Sequence, residues 1–120
     1  LPDQRADTPG NLVVDFLGRP ALTYTGPATL ALRTGALILP CFGRRTEDNR
    51  IVCYFAQPFS IEHSGDRDAD ILRGTRMVNQ ALAREILRYP AQWLWMHNRW
   101  DLERGEHRRK RRKQPPPPGQ

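Results

Sequence analysis

Long apolar runs are missing from this sequence. The longest, Ala36 to Phe42, contains Pro40 and falls far short of the ~20 residues that a membrane-spanning helix needs. No charged start leads into an apolar stretch, so no signal peptide is read. Cysteine is scarce. Cys41 and Cys53 stand alone, too few for a disulfide scaffold, and no CxxC or nearby His pattern makes them metal ligands. They flank an expected hairpin and read as buried free thiols; neither a metal nor a cofactor is expected. Methionine is missing from the first position. The sequence opens Leu1-Pro2-Asp3-Gln4, and truncation is the expectation. At 120 residues with 38% hydrophobic content and a mean hydropathy of -0.68, the composition is of soluble type. It fits one small domain, or a piece of a larger one, with a modest core.

The formal charge of +6 is concentrated at one end. Of 19 basic and 13 acidic residues, seven basic ones (Arg104, Arg108, Arg109, Lys110, Arg111, Arg112, Lys113) and the single acid Glu106 lie between 104 and 113, leaving twelve of each elsewhere. The body is therefore neutral. A block of like charge repels itself and is expected to be disordered, and the polyproline run Pro115 to Pro118 continues it. Such a tail attracts anionic surfaces in general. It has no interleaved aromatics of a single-strand binder and the body has no basic face, so no specific nucleic acid is expected.

Residues 1 to 11 read as a loop, and Leu12 to Phe16 as a short strand ending at Gly18. Pro20 to Thr25 reads as a connection. A helix opens at Gly26-Pro27, where proline is tolerated in the first turn, and stops at Gly35. Ala36 to Phe42 reads as a strand buried on both faces. A turn at Thr46 to Asn49 leads to the strand Ile51 to Phe55. The longest helix is expected from about Asp68 to Tyr89, with Ile71, Val78, Leu82, Ile86 and Tyr89 on its apolar stripe. Acids gather at its start, and Pro90 ends it. Pro90 to His97 reads as a short final helix. The order strand, helix, strand, hairpin gives an α/β fold with a mixed sheet and covering helices over residues 1–102, followed by the tail at 103–120.

The cadence Phe16-Leu17-Gly18-Arg19-Pro20-Ala21, Gly26-Pro27-Ala28, Thr34-Gly35-Ala36 and Pro40, with the ending Tyr89-Pro90-Ala91-Gln92-Trp93-Leu94-Trp95-Met96-His97-Asn98-Arg99-Trp100, resembles the lipid A biosynthesis (lauroyl/myristoyl) acyltransferase family. That family is a branch of the lysophospholipid acyltransferase superfamily. Asp3-Gln4 looks like its Asp-Gln after a core strand, and Asn79 falls where the family has an asparagine in its last long helix. The resemblance runs from Leu1 to about Trp100 and covers the C-terminal half of the family pattern. It implies an enzyme at the cytoplasmic face of the bacterial inner membrane that moves a fatty acyl chain from acyl carrier protein to a hydroxyl of a lipid A precursor. It also implies a His-x4-Asp/Glu pair, with His as general base, placed ahead of the Asp-Gln motif and so ahead of this sequence. The chain alone is then expected to be inactive. The rival enzyme reading is an acyl-CoA-dependent acyltransferase of mannosylated phosphatidylinositol or another lysolipid. A rival of another class is a non-catalytic, basic-tailed module for membrane or nucleic acid.

His63 and Asp68 repeat the family spacing, but they fall after the last strand, where Asp66 and Asp68 read as helix-capping residues. Arg44 and Arg45 sit at a strand end and read either as a bidentate grip on a lipid phosphate or as a solvated hairpin flank. Asp3, Gln4 and Arg5 read as headgroup contacts or as residues that orient their loop. On an extended final helix, Trp93, His97 and Trp100 share one face, packed inward. Trp95 and Arg99 share another, which together with Arg108, Arg109, Lys110, Arg111, Arg112 and Lys113 is expected at the membrane surface.

Overall fold

The computed structural model describes residues 2–6 and 10–102; the expected tail at 103–120 lies outside them. Strand β1 (Leu12–Phe16) pairs antiparallel with β2 (Arg19–Thr23), from Leu12 opposite Thr23 to Phe16 opposite Arg19. The connection is the two-residue turn Leu17-Gly18, with φ of 55° and 77°. Positive φ at both positions matches the twist of the flanking strands. The stretch expected as a connection after Pro20 is thus a strand. In a two-stranded sheet each strand keeps an open edge, where the missing N–H of Pro20 costs no ladder bond.

Helix α1 (Gly26–Thr34) follows, with Pro27 in its first turn and Gly35 (φ 70°) donating its N–H to Ala31 O at 2.8 Å. The apolar run after it is not a buried strand. Ile38 makes one bridge to Phe59, while Leu37 and Leu39 are exposed. The strand β3 is Cys41–Arg45, beginning just past Pro40, which has no N–H for a ladder. It pairs antiparallel with β4 (Ile51–Phe55) around a turn in which Asn49 takes φ 66°. Both cysteines are free and exposed, not buried. No mixed sheet forms among the described residues. The strands make two separate antiparallel hairpins, because no strand has a parallel neighbour to complete a crossover.

Helix α2 (Arg67–Arg88) is the spine. Asp66 caps it, its carboxylate accepting from the N–H groups of Asp68 and Ala69 at 3.0 and 3.1 Å. It packs against α1 and β1. One core holds Phe16, Ala21 and Ile86 with Trp93 and Trp100 against them; the other holds Ala28, Ala31 and Ile61. The helices touch at Gly74. A Cβ there would stand 2.9 Å from that of Ala28 and within 2.3 Å of Ile61. Because Ala28 is fixed to the α1 backbone, Gly74→Val forces the helices apart. Overpacking of this kind costs about 1–3 kcal/mol, and a urea midpoint unchanged by the substitution would disprove the close approach.

The final helix is also corrected. Pro90–Gln92 makes a single 3-10 turn, and the chain then runs on through turns. Aromatic packing shapes this segment instead of helical hydrogen bonds. Trp93 meets Phe16, Trp95 and Trp100 edge-on at 5.7, 4.7 and 5.8 Å, and the Trp100 indole donates to Phe16 O at 3.0 Å.

Candidate functional site: an amphipathic cleft along the second helix

A cleft of about 570 Å³ lies between α2 and the β3–β4 hairpin. Its walls are apolar: Leu39, Phe42, Phe59, Val78, Leu82 and Ile86. The α2 residues lie one helical turn apart and so face the same way. Phe42 and Tyr54 are cross-strand partners with rings 6.1 Å apart, which places both on the cleft side of the hairpin. Few polar side chains join them. Arg44 sits 5.1 Å over the Tyr89 ring, and the Tyr54 hydroxyl donates to Glu85 Oε1. Burial, then the Glu85 carboxylate, push the Tyr54 phenol up to about 12, so at neutral pH it is an uncharged donor. An apolar trench with a few converging polar groups is the usual form of a site for an amphiphilic ligand.

Asp3 lines this cleft together with Arg44. The other residues singled out in the sequence are elsewhere. Gln4 is exposed. Arg5 ties the N-terminal segment to the C-terminal one, its N–H donating to His97 Nε2 at 3.0 Å and its guanidinium reaching Asp101 at 3.3 Å. Arg44 and Arg45 do not form one grip, because consecutive strand residues point to opposite faces. The Arg45 side chain donates to Asn49 at 2.7 Å, and its backbone exchanges two bonds with the Gln92 amide at 3.0 and 2.9 Å. Trp95 is half exposed, its indole held by Pro90 O at 2.7 Å. The basic residues from Arg108 to Lys113 lie outside the described residues. His63 sits at the start of α2, away from the cleft.

Arg99 is the main correction. Expected at a membrane surface, it is 0% exposed. It donates to Leu22 O at 2.6 Å and Thr23 Oγ1 at 2.8 Å and lies 5.0 Å from the Phe16 ring. Burial lowers its pKa to about 10, with Asp3 and Tyr24 acting against that shift; it remains a cation at neutral pH. Asn79 is equally buried and donates to Asp15 O and to the same Thr23 hydroxyl, at 2.9 and 3.2 Å. This network clasps the chain end beneath the first hairpin. The direction in which Arg99 points follows from the aromatic turns, since the helical spacing that placed it beside Trp95 is absent.

Tyr54 and Glu85 were not singled out in the sequence. One signal was available: Glu85 interrupts the apolar stripe of α2 between Leu82 and Ile86, where an acid requires a buried partner. Among the described residues, no group of three or more His, Cys, Asp or Glu converges as a metal site requires, and no helix is long and apolar enough to cross a membrane.

Comparison with known proteins bears on what this cleft belongs to. Over 100 residues the chain is 30% identical to the phosphatidylinositol mannoside acyltransferase of Mycobacterium tuberculosis, in both strain CDC 1551 / Oshkosh and strain H37Rv. The match covers 80% of this chain and 28% of each relative. Residues 1–101 match the bacterial lipid A biosynthesis acyltransferase family. That match takes in both hairpins, both helices and the aromatic clasp, and the chain belongs to this family.

Proposed function

We propose that this chain supplies the acceptor-binding wall of an enzyme that transfers a fatty acyl group to a sugar hydroxyl of a phosphate-bearing glycolipid. The amphipathic cleft carries the reading. Its apolar length suits acyl chains, Arg44 suits a phosphate, and the Tyr54–Glu85 pair suits sugar hydroxyls. The family name favours a lipid A precursor as acceptor, and acyl carrier protein is the donor that the sequence resemblance implies. The name of the mycobacterial relatives favours a mannosylated phosphatidylinositol. Both acceptors present the same three chemistries to the cleft.

Base catalysis requires a group within about 3 Å of the hydroxyl whose proton it takes. Neither described histidine meets that need, since His97 accepts the Arg5 N–H and His63 lies at the other end of α2. In this reading the general base lies outside the described residues, and these residues serve to hold the acceptor. The seven basic residues from Arg104 to Lys113 would add attraction to an anionic membrane surface, at about 1 kcal/mol each as an upper value. That location is the cytoplasmic face of the inner membrane.

The test is to offer the chain acyl carrier protein and acyl-CoA donors, with a lipid A precursor and a mannosylated phosphatidylinositol as acceptors. Saturable acceptor binding without turnover is expected. Acylation of either acceptor by the chain alone would refute this division of labour.

A further inference from the structure

A second cavity, about 240 Å³, opens between α1 and the first turn of α2. Thr29 and Arg33, four residues apart on α1, line one side, and His63 and Arg67 line the other. Among the described residues, neither guanidinium nor the imidazole has a hydrogen-bond or ion-pair partner, whereas Asp66 and Asp70 are already engaged. Asp66 caps the helix through the N–H groups of Asp68 and Ala69. Asp70, which also lines the cavity, is buried and accepts from Ser64 N–H at 3.0 Å, Ser64 Oγ at 2.6 Å and Arg73 at 2.6 Å. Glu62 and Asp68 are exposed neighbours outside the lining.

Asp66 and Asp70 are thus engaged at the helix start, and the three bases line the cavity unpaired. Two guanidinium forks and an imidazole N–H approaching from opposite sides match the tetrahedral oxygens of a phosphate better than the planar pair of a carboxylate. Helix geometry makes this a separate place. From Asp70 to Glu85 the rise along α2 is roughly 22 Å, too far for one phosphate to touch both this cavity and Arg44.

We infer that Arg33, His63 and Arg67 form a second, phosphate-binding site at the α1–α2 junction, one that takes a phosphate monoester or diester. It stands whether or not the cleft binds an acceptor. Two sources offer that chemistry, a small soluble phosphate or a phospholipid headgroup, and the test separates them. Inorganic phosphate is titrated into the full chain at constant ionic strength, with the His63 imidazole and Gly65 amide followed by NMR. Vesicles of phosphatidic acid in phosphatidylcholine, and of phosphatidylcholine alone, are then added in parallel.

Saturable shifts at both resonances are expected, weakened at least tenfold by the double variant R33A/R67A and unchanged by R84A, an exposed α2 arginine outside the cavity. Both replaced arginines are exposed and unpartnered, so the fold is retained. A response to phosphate alone supports a soluble ligand. A response to the phosphatidic acid vesicles as well, with none to phosphatidylcholine, supports a lipid headgroup. Shifts that never saturate, or that fall equally in R84A, overturn the site in favour of general charge screening.

Discussion

Replacing Arg99 by alanine is expected to lower the unfolding free energy by about 3 kcal/mol. The side chain is fully enclosed and its two hydrogen bonds involve a charged donor, the stronger kind. Removing it leaves the Leu22 carbonyl with the Ala6 N–H alone and the Thr23 hydroxyl with the Asn79 amide as its remaining donor. It also empties the space that the arginine stem fills beside Phe16. Arg99→Lys is expected to recover little, because one ammonium cannot reproduce a fork directed at two acceptors. Urea unfolding followed by tryptophan fluorescence reads both effects, as Trp93 and Trp100 lie in the same cluster. A loss under about 0.5 kcal/mol is what a surface substitution gives. That result would return Arg99 to the solvent-facing role expected from its sequence position.

The second large effect concerns the cleft. Leu39 lines it yet is 51% exposed, so Leu39→Asp places a charge on the wall at little cost to folding. A bound acyl chain would have to cover that carboxylate, which is expensive without a partner. Affinity for a fluorescent fatty-acyl probe is expected to fall about tenfold or more, equivalent to about 1.4 kcal/mol. Arg44→Ala should leave the fatty-acyl probe bound and weaken a phosphate-bearing glycolipid by about 1.5–3 kcal/mol, the worth of a charge-assisted bond. Equal losses for both ligands in both variants would mean that the cleft does not divide chain from headgroup.

Sequence reasoning succeeded where a local signal is strong. Helix α2 was legible from its apolar stripe and from the acids at its start, and Asp66 caps it as such residues do. Helix α1 was legible from Pro27 and Gly35. The first hairpin was only half legible. Leu17-Gly18 carries positive φ at both residues, yet leucine is not a turn residue. Pro20 argued against a strand that an open edge allows. The run from Ala36 to Phe42 has the apolar content of a buried strand, yet Leu37 and Leu39 are exposed, and an apolar run without alternation does not by itself fix its burial. Adjacency in sequence pairs Arg44 with Arg45, whereas strand alternation separates them. The C-terminal segment misled most. Its tryptophans fold onto Phe16 and one another without a helix, so the helical faces drawn through Trp95 and Arg99 do not exist.

The cleft's occupant can be established by photo-crosslinking. A glycolipid carrying a diazirine on its acyl chain is irradiated with the chain, and the adducts are mapped by mass spectrometry. Adducts on Leu39, Phe42 and Leu82, removed by excess unlabelled glycolipid, are the result expected of a cleft that holds the acceptor's acyl portion. Labelling confined to the first hairpin or the α1–α2 junction, or labelling that the competitor does not reduce, would contradict it.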